Sequence, residues 1–147
     1  MEPWTVYLAG EIHSDWRREI MNAALDLPVR FTAPVTDHEA SDEIGVHALG
    51  PESQAFWKDR KGAGINNART GTHVARADLV IALFGEHYRQ WNTAFDAGRA
   101  AALGKPLITI HPEAHDHALK EIDAAAAAVC REPAQAVEIL RYITTKN

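Results

Sequence analysis

Two side chains that lie far apart in the chain, Asp96 and Tyr7, have the types and settings that carboxylate chemistry requires. Asp96 follows a nearly all-apolar run at 79–84 and stands in the first turn of a helix predicted over 93–103. A carboxylate in that turn gains roughly 0.3–1 kcal/mol from the helix dipole. That keeps it ionised, as a nucleophile must be. The same placement also suits an aspartate that does nothing more than favour the dipole. Tyr7 lies in the first strand-like run, where its ring either packs in the core or sends its hydroxyl to orient a carboxylate. The loop 86–91 is rich in recognition groups: Trp91 and Tyr88 can stack a planar ring, and Arg89 can meet an anion. A solvated loop with one aromatic anchor has the same composition.

Eight histidines include His111, His115 and His117, close in sequence. His115 and His117 do not share a helical face, and no cysteine helps, so no metal site is expected. No phosphate-loop, dinucleotide-binding or nucleophile-elbow motif occurs, and no cofactor is expected.

The elements that must position these groups alternate. Strands are predicted at 4–9, 29–33, 79–84, 107–110 and 126–130, with helices from Ser14 or Asp15 to about 25, then 65–76, 93–103, 114–125 and 134–142. Gly10 ends the first strand, where a sharp turn lets a ligand approach the backbone. Residues 35–64 read as a long, less regular segment, with a turn and a short helix accommodated at 36–42 and a mobile, charged, glycine-containing stretch at 58–64; a segment this long inside a compact domain tends to be a lid or binding loop. Strand–helix alternation predicts a flavodoxin-like three-layer α/β/α fold with a five-stranded parallel sheet in the order 2-1-3-4-5. That order brings the ends of the first and third strands, and so Tyr7 and Asp96, to one crevice.

The chain has 147 residues, enough for one domain spanning 1–147, and a net charge of −5. That charge argues against gripping a nucleic acid polymer or an anionic membrane. No apolar run approaches the roughly 20 residues of a membrane span. A single cysteine, Cys130, and no visible signal peptide lead to the expectation of a cytoplasmic protein.

Several motifs together resemble the nucleoside 2-deoxyribosyltransferase superfamily: Tyr-Leu-Ala-Gly at 7–10, Ala-Asp-Leu-Val-Ile-Ala at 77–82, Asn-Thr-Ala-Phe-Asp-Ala-Gly at 92–98 and Gly-Lys-Pro-Leu at 104–107. The stretches 7–14, 64–67, 81–86 and 90–93 are similar to its YtoQ branch. The resemblance implies that Asp96 is a nucleophile attacking the anomeric carbon of a 2'-deoxyribosyl group, and that Tyr7 hydrogen-bonds it. This is the logic of retaining glycosidases, in which one hard displacement becomes two easier ones. The chain departs from the superfamily at three positions. Asp96 replaces the usual Glu, Asn92 replaces a Gly, and Gln90 stands where a second acid, six residues before the nucleophile, helps protonate the base. Glu86, Asp78 or a loop residue would have to supply that proton, or the substrate differs. Gly10, Glu11, Asn67, Gln90, Trp91 and Asn92 are the implied substrate contacts. His13, Ser14 and Arg17, at the start of the first helix, are placed to receive a phosphate. The implied substrate is a small nucleoside or nucleotide, and the resemblance implies a homo-oligomer. The competing reading is a binding module that senses such a ligand without turning it over.

Overall fold

The computed structural model describes residues 2–87 and 90–146. Its strands are β1 Trp4–Gly10, β2 Val29–Thr32, β3 Leu79–Leu83, β4 Leu107–Ile110 and β5 Ala128–Cys130. All pair in parallel, in the order β2-β1-β3-β4-β5. The helices are α1 Trp16–Ala23, α2 His38–Leu49, α3 Ala55–Arg76, α4 Trp91–Ala102, α5 Lys120–Ala125 and α6 Pro133–Thr145. The predicted flavodoxin-like order is thus the observed one.

Side-chain alternation along β1 divides the core. Val6 and Leu8 pack with Trp16 and Ile20 of α1 and with Val137 and Leu140 of α6. Tyr7 and Ala9 turn to the other face, among Val74 of α3 and Ala97 and Ala100 of α4. β3 is buried at every position, as a central parallel strand must be when both faces are covered. In the β1–β3 register Tyr7 lies opposite Val80 and Gly10 opposite Leu83. The two strands therefore end together, and their loops open on one crevice.

The largest difference from expectation is at 58–64, which is helical rather than loop. These residues lie inside the 22-residue α3. Their charges are surface pairs: Lys58 meets Glu43 and Lys61 meets Glu52, each at 2.6 Å. Their glycine is a contact surface. A Cβ on Gly45 of α2 would lie 2.4 Å from the Gly62 backbone nitrogen, so the two helices touch through bare backbone. Asn66 adds its amide, donating to the Ser41 carbonyl at 2.9 Å. The predicted helix 114–125 is also interrupted. A short 3-10 turn at Glu113–His115 precedes α5, and Asp116 between them turns to Arg131 at 2.6 Å.

Gly45→Ala is expected to lower Tm by several degrees, because overlap with backbone costs about 1–3 kcal/mol. This exceeds the gain of up to ~1 kcal/mol in helix propensity. Gly98→Ala in α4, where a Cβ meets nothing within 4 Å, is expected to raise Tm slightly. Thermal melts of both variants check the pair.

Candidate active site

The crevice at the carboxyl ends of β1 and β3 is a cavity of about 660 Å³. Its first wall is the turn after β1. Gly10 has φ +151°, and a Cβ there would lie 2.8 Å from the Leu83 carbonyl oxygen, so only glycine fits this crossing of β3. The turn is held from below by Arg17. Its buried guanidinium donates to the carbonyls of Leu8 at 3.1 Å, Gly10 at 2.8 Å and Glu11 at 2.7 Å. The Trp16 indole N–H also donates to Glu11 O, at 2.9 Å. Burial pushes the Arg17 pKa down to about 10, which leaves it charged. Arg17 is therefore occupied by backbone and does not line the cavity, contrary to the expectation that it meets a phosphate.

The second wall is the loop after β3. Gln90 folds back on Gly85, accepting from its N–H at 3.0 Å and donating to its carbonyl at 3.3 Å. His115 Nε2 donates to the same carbonyl at 3.1 Å. Gln90 is the residue before α4, and its carbonyl accepts from Ala94 N–H at 3.0 Å. The helix consequently begins at Trp91, two residues earlier than predicted. Asp96 is then its sixth residue, in the second turn rather than the first. The expected dipole stabilisation does not apply, and burial dominates. The Asp96 pKa is pushed up from 3.8 to about 6 by desolvation, with Arg99 opposing. The carboxyl is still mostly ionised at neutral pH.

Tyr7 lies behind Asp96, fully buried, with no hydrogen-bond partner for its hydroxyl. Its pKa is raised to about 12, first by burial and then by the Asp96 charge; the Thr70 hydroxyl is close enough to pull the other way. The hydroxyl therefore stays protonated, but it makes no hydrogen bond to Asp96 in this structure, unlike what the resemblance implies, and Tyr7 does not itself line the cavity.

Gly10, Glu11, His13, Asn67, Gln90, Trp91, Asn92 and Asp96 all line the cavity. Ser14 and Glu86 do not. Ser14 is exposed and donates its hydroxyl to the Glu11 carboxylate, which also accepts from His13 N–H at 3.2 Å. Glu86 is exposed. Asp78 sits at the opposite end of β3, accepting from Thr5 N–H at 2.8 Å, too far along the strand to serve as an acid here. Tyr88 and Arg89 lie outside the described residues. His111 is buried against Asp123 at 2.7 Å. Among the described residues no group of three or more His, Cys, Asp or Glu is arranged to hold a metal, and no helix is long and apolar enough to cross a membrane.

The structure adds a third wall, from the segment expected as a lid or binding loop and the helix after it, whose residues the sequence did not single out: His38, Ser41 and Asp42 of α2 and Asp59, Asn66 and Thr70 of α3. The α3 residues did carry a signal. Positions 59, 63, 66, 67 and 70 are spaced by three and four, one face of a helix. Asn67 is tied to α4, accepting a hydrogen bond from Arg99, whose guanidinium also lies over the Phe95 ring at 4.6 Å.

A parallel α/β sheet that holds a half-buried carboxylate near a buried tyrosine, at its topological switch point, defines a class of small-ligand sites. The family follows from comparison. The chain belongs to the family described as nucleoside 2-deoxyribosyltransferase YtoQ, whose model matches residues 7–144. It is 49% identical over 140 residues to the "Uncharacterized protein YtoQ" of Bacillus subtilis (strain 168), covering 94% of this chain and 95% of that one. Two solved structures share the fold. A 2-deoxyribosyltransferase from Bacillus psychrosaccharolyticus matches with a TM-score of 0.56 at 16% identity, covering 90% of each chain. A conserved protein from Enterococcus faecalis V583 matches with a TM-score of 0.62 at 13% identity, covering 96% of this chain and 99% of that one.

Asp96→Asn is expected to stabilise the protein at pH 7–8 by a few degrees in Tm. The folded-state pKa lies above the unfolded value, so the ionised carboxylate is a cost of folding at higher pH. That cost shrinks as pH falls through about 6 and is gone near about 4. Melts of both proteins across this range check the sign. Tyr7→Phe removes a buried, unpaired hydroxyl, whose burial costs about 1–3 kcal/mol. Its Tm is expected to hold or rise while ligand affinity or turnover falls.

Proposed function

We propose that this protein cleaves or transfers the N-glycosidic bond of a (2'-deoxy)nucleoside, with Asp96 as nucleophile and Tyr7 as the donor that orients it. The observation that carries the reading is the pairing of a desolvated carboxylate with an unpartnered, protonated tyrosine hydroxyl beside a cavity large enough for a nucleoside. An Asp96 oxygen attacks C1', the C1'–N bond breaks, and its electron pair leaves on the base. Water or a second base then attacks C1' and frees the carboxylate. Glu11, Asn67 and Asn92 line the cavity as groups for the sugar and base edges, and Trp91 offers an aromatic face. The base is not protonated by Gln90, whose amide has no proton to give and is held by Gly85.

The occupied state of Arg17 supports a nucleoside over a nucleotide, since the nearest candidate for a phosphate is spent on the chain itself. Trp91 and Phe95 are exposed one turn apart on α4 at the edge of the cavity, where a second copy of the chain would cover it. The spent Gln90 amide equally favours the alternative, a binding module that holds a nucleoside without breaking it.

Incubation with a panel of deoxynucleosides, followed by chromatography, is expected to release free base. Asp96→Asn is expected to lower that rate by about a thousandfold or more. Tight binding across the panel with no base released would establish the binding module instead.

A further inference from the structure

We propose that the preferred substrate is a nucleoside whose base already carries a positive charge, such as an N-glycosylated pyridinium or an N7-alkylated purine. This rests on the N-glycosidic reading of the site above.

The first ground is what the leaving group needs. A neutral base must gain a proton as the C1'–N bond breaks, because the electron pair left on nitrogen is otherwise a poor leaving group. The group at the position implied for a base-protonating acid does not provide that proton, and the imidazoles of the lining, His13 and His38, stand on other elements. Gln90 is an amide fixed to Gly85. The Glu11 carboxylate is an acceptor of two hydrogen bonds, from the Ser14 hydroxyl and His13 N–H. The Tyr7 hydroxyl is buried beside Asp96 itself. A cationic base needs no proton. The electron pair of the breaking bond returns to the ring and discharges it, and the base leaves neutral. Asp96 oxygen is then bonded to C1'. In the second step water attacks C1', the ester bond to Asp96 breaks, and the water's proton goes to solvent.

The second ground is the charge of the cavity. Glu11, Asp42, Asp59 and Asp96 line it, and no Lys or Arg does among the described residues. Its basic groups are His13 and His38. His38 is paired with Asp42 at 3.1 Å, and the two rings stand edge to face at 5.9 Å. Such a lining attracts a cation and the oxocarbenium-like charge that develops at C1'.

The test uses the full-length protein and two probe pairs of nearly equal shape. One is 7-methyl-2'-deoxyguanosine against 2'-deoxyguanosine. The other is N-(2'-deoxyribosyl)-3-carbamoylpyridinium against its uncharged dihydro form. Binding is measured by calorimetry and base release by chromatography, each rate divided by the rate without protein. The cationic member of each pair is expected to bind more than about tenfold tighter and to show the larger rate ratio. Asp42→Asn with Asp59→Asn is expected to lower the ratio of cationic to neutral affinity within each probe pair. Equal binding and turnover of neutral and cationic members overturns the charge preference while leaving the N-glycosidic reading intact. Release from neutral probes that is lost in His13→Gln overturns it by identifying a proton donor. Selective binding of the cations without release from any probe overturns the substrate assignment. Failure to bind or cleave any of the four overturns the N-glycosidic reading itself.

Discussion

A single buried guanidinium holds the shape of this site. The carbonyls of Leu8, Gly10 and Glu11 leave the sheet where β1 ends, and each unpaired carbonyl would cost about 1–3 kcal/mol. Arg17 satisfies all three through charge-assisted bonds. The turn is thereby fixed against Leu83, and Glu11 and His13 are set at the cavity wall. The same bonds remove Arg17 from the ligand's reach. One structural constraint thus sets the form of the cavity's first wall and keeps this guanidinium out of the lining.

Elsewhere the molecule follows the rule that buried polar groups are paired, and its departures from that rule are informative. Among the described residues three buried side-chain atoms lack partners: the Tyr7 hydroxyl, Thr32 Oγ1 and Arg99 Nη1. Two of the three belong to residues coupled to Asp96: its charge raises the Tyr7 pKa, and the Arg99 charge opposes the desolvation of Asp96 itself. The core on both faces of the sheet, from Val6 and Leu8 to Val80 and Ala82, supplies the stability that this tolerates.

The α2–α3 pair gives the cavity its far side. Backbone contact at Gly45 and Gly62 draws α2 close, and α2 brings His38, Ser41 and Asp42 into the lining. α3 is then tied to α4 through Asn67 and Arg99. The carboxylate on α4 and the polar face of α3 are therefore positioned by helix packing, not by the loops alone.

The order of the five strands and the nearness of Tyr7 to Asp96 were legible in the sequence. Apolar runs for buried strands, helical spacing between them and right-handed crossovers leave little topological choice. The residue types of the cavity's first two walls, Gly10 to His13 and Gln90 to Asn92, were legible for the same reason, because such loops meet at the switch point. What those groups are free to do was not legible. Arg17 and Gln90 looked like ligand contacts until the fold showed their hydrogen bonds spent on backbone. Asp96 looked like a dipole-stabilised first-turn acid until two more helical residues and the surrounding burial reversed its pKa shift. The charged glycine stretch at 58–64 looked mobile until α2 gave it a surface to pack on. Pattern and propensity are local, so one chain can show them. Hydrogen-bond partners, desolvation and helix contact depend on residues distant in sequence, and only the tertiary structure decides them.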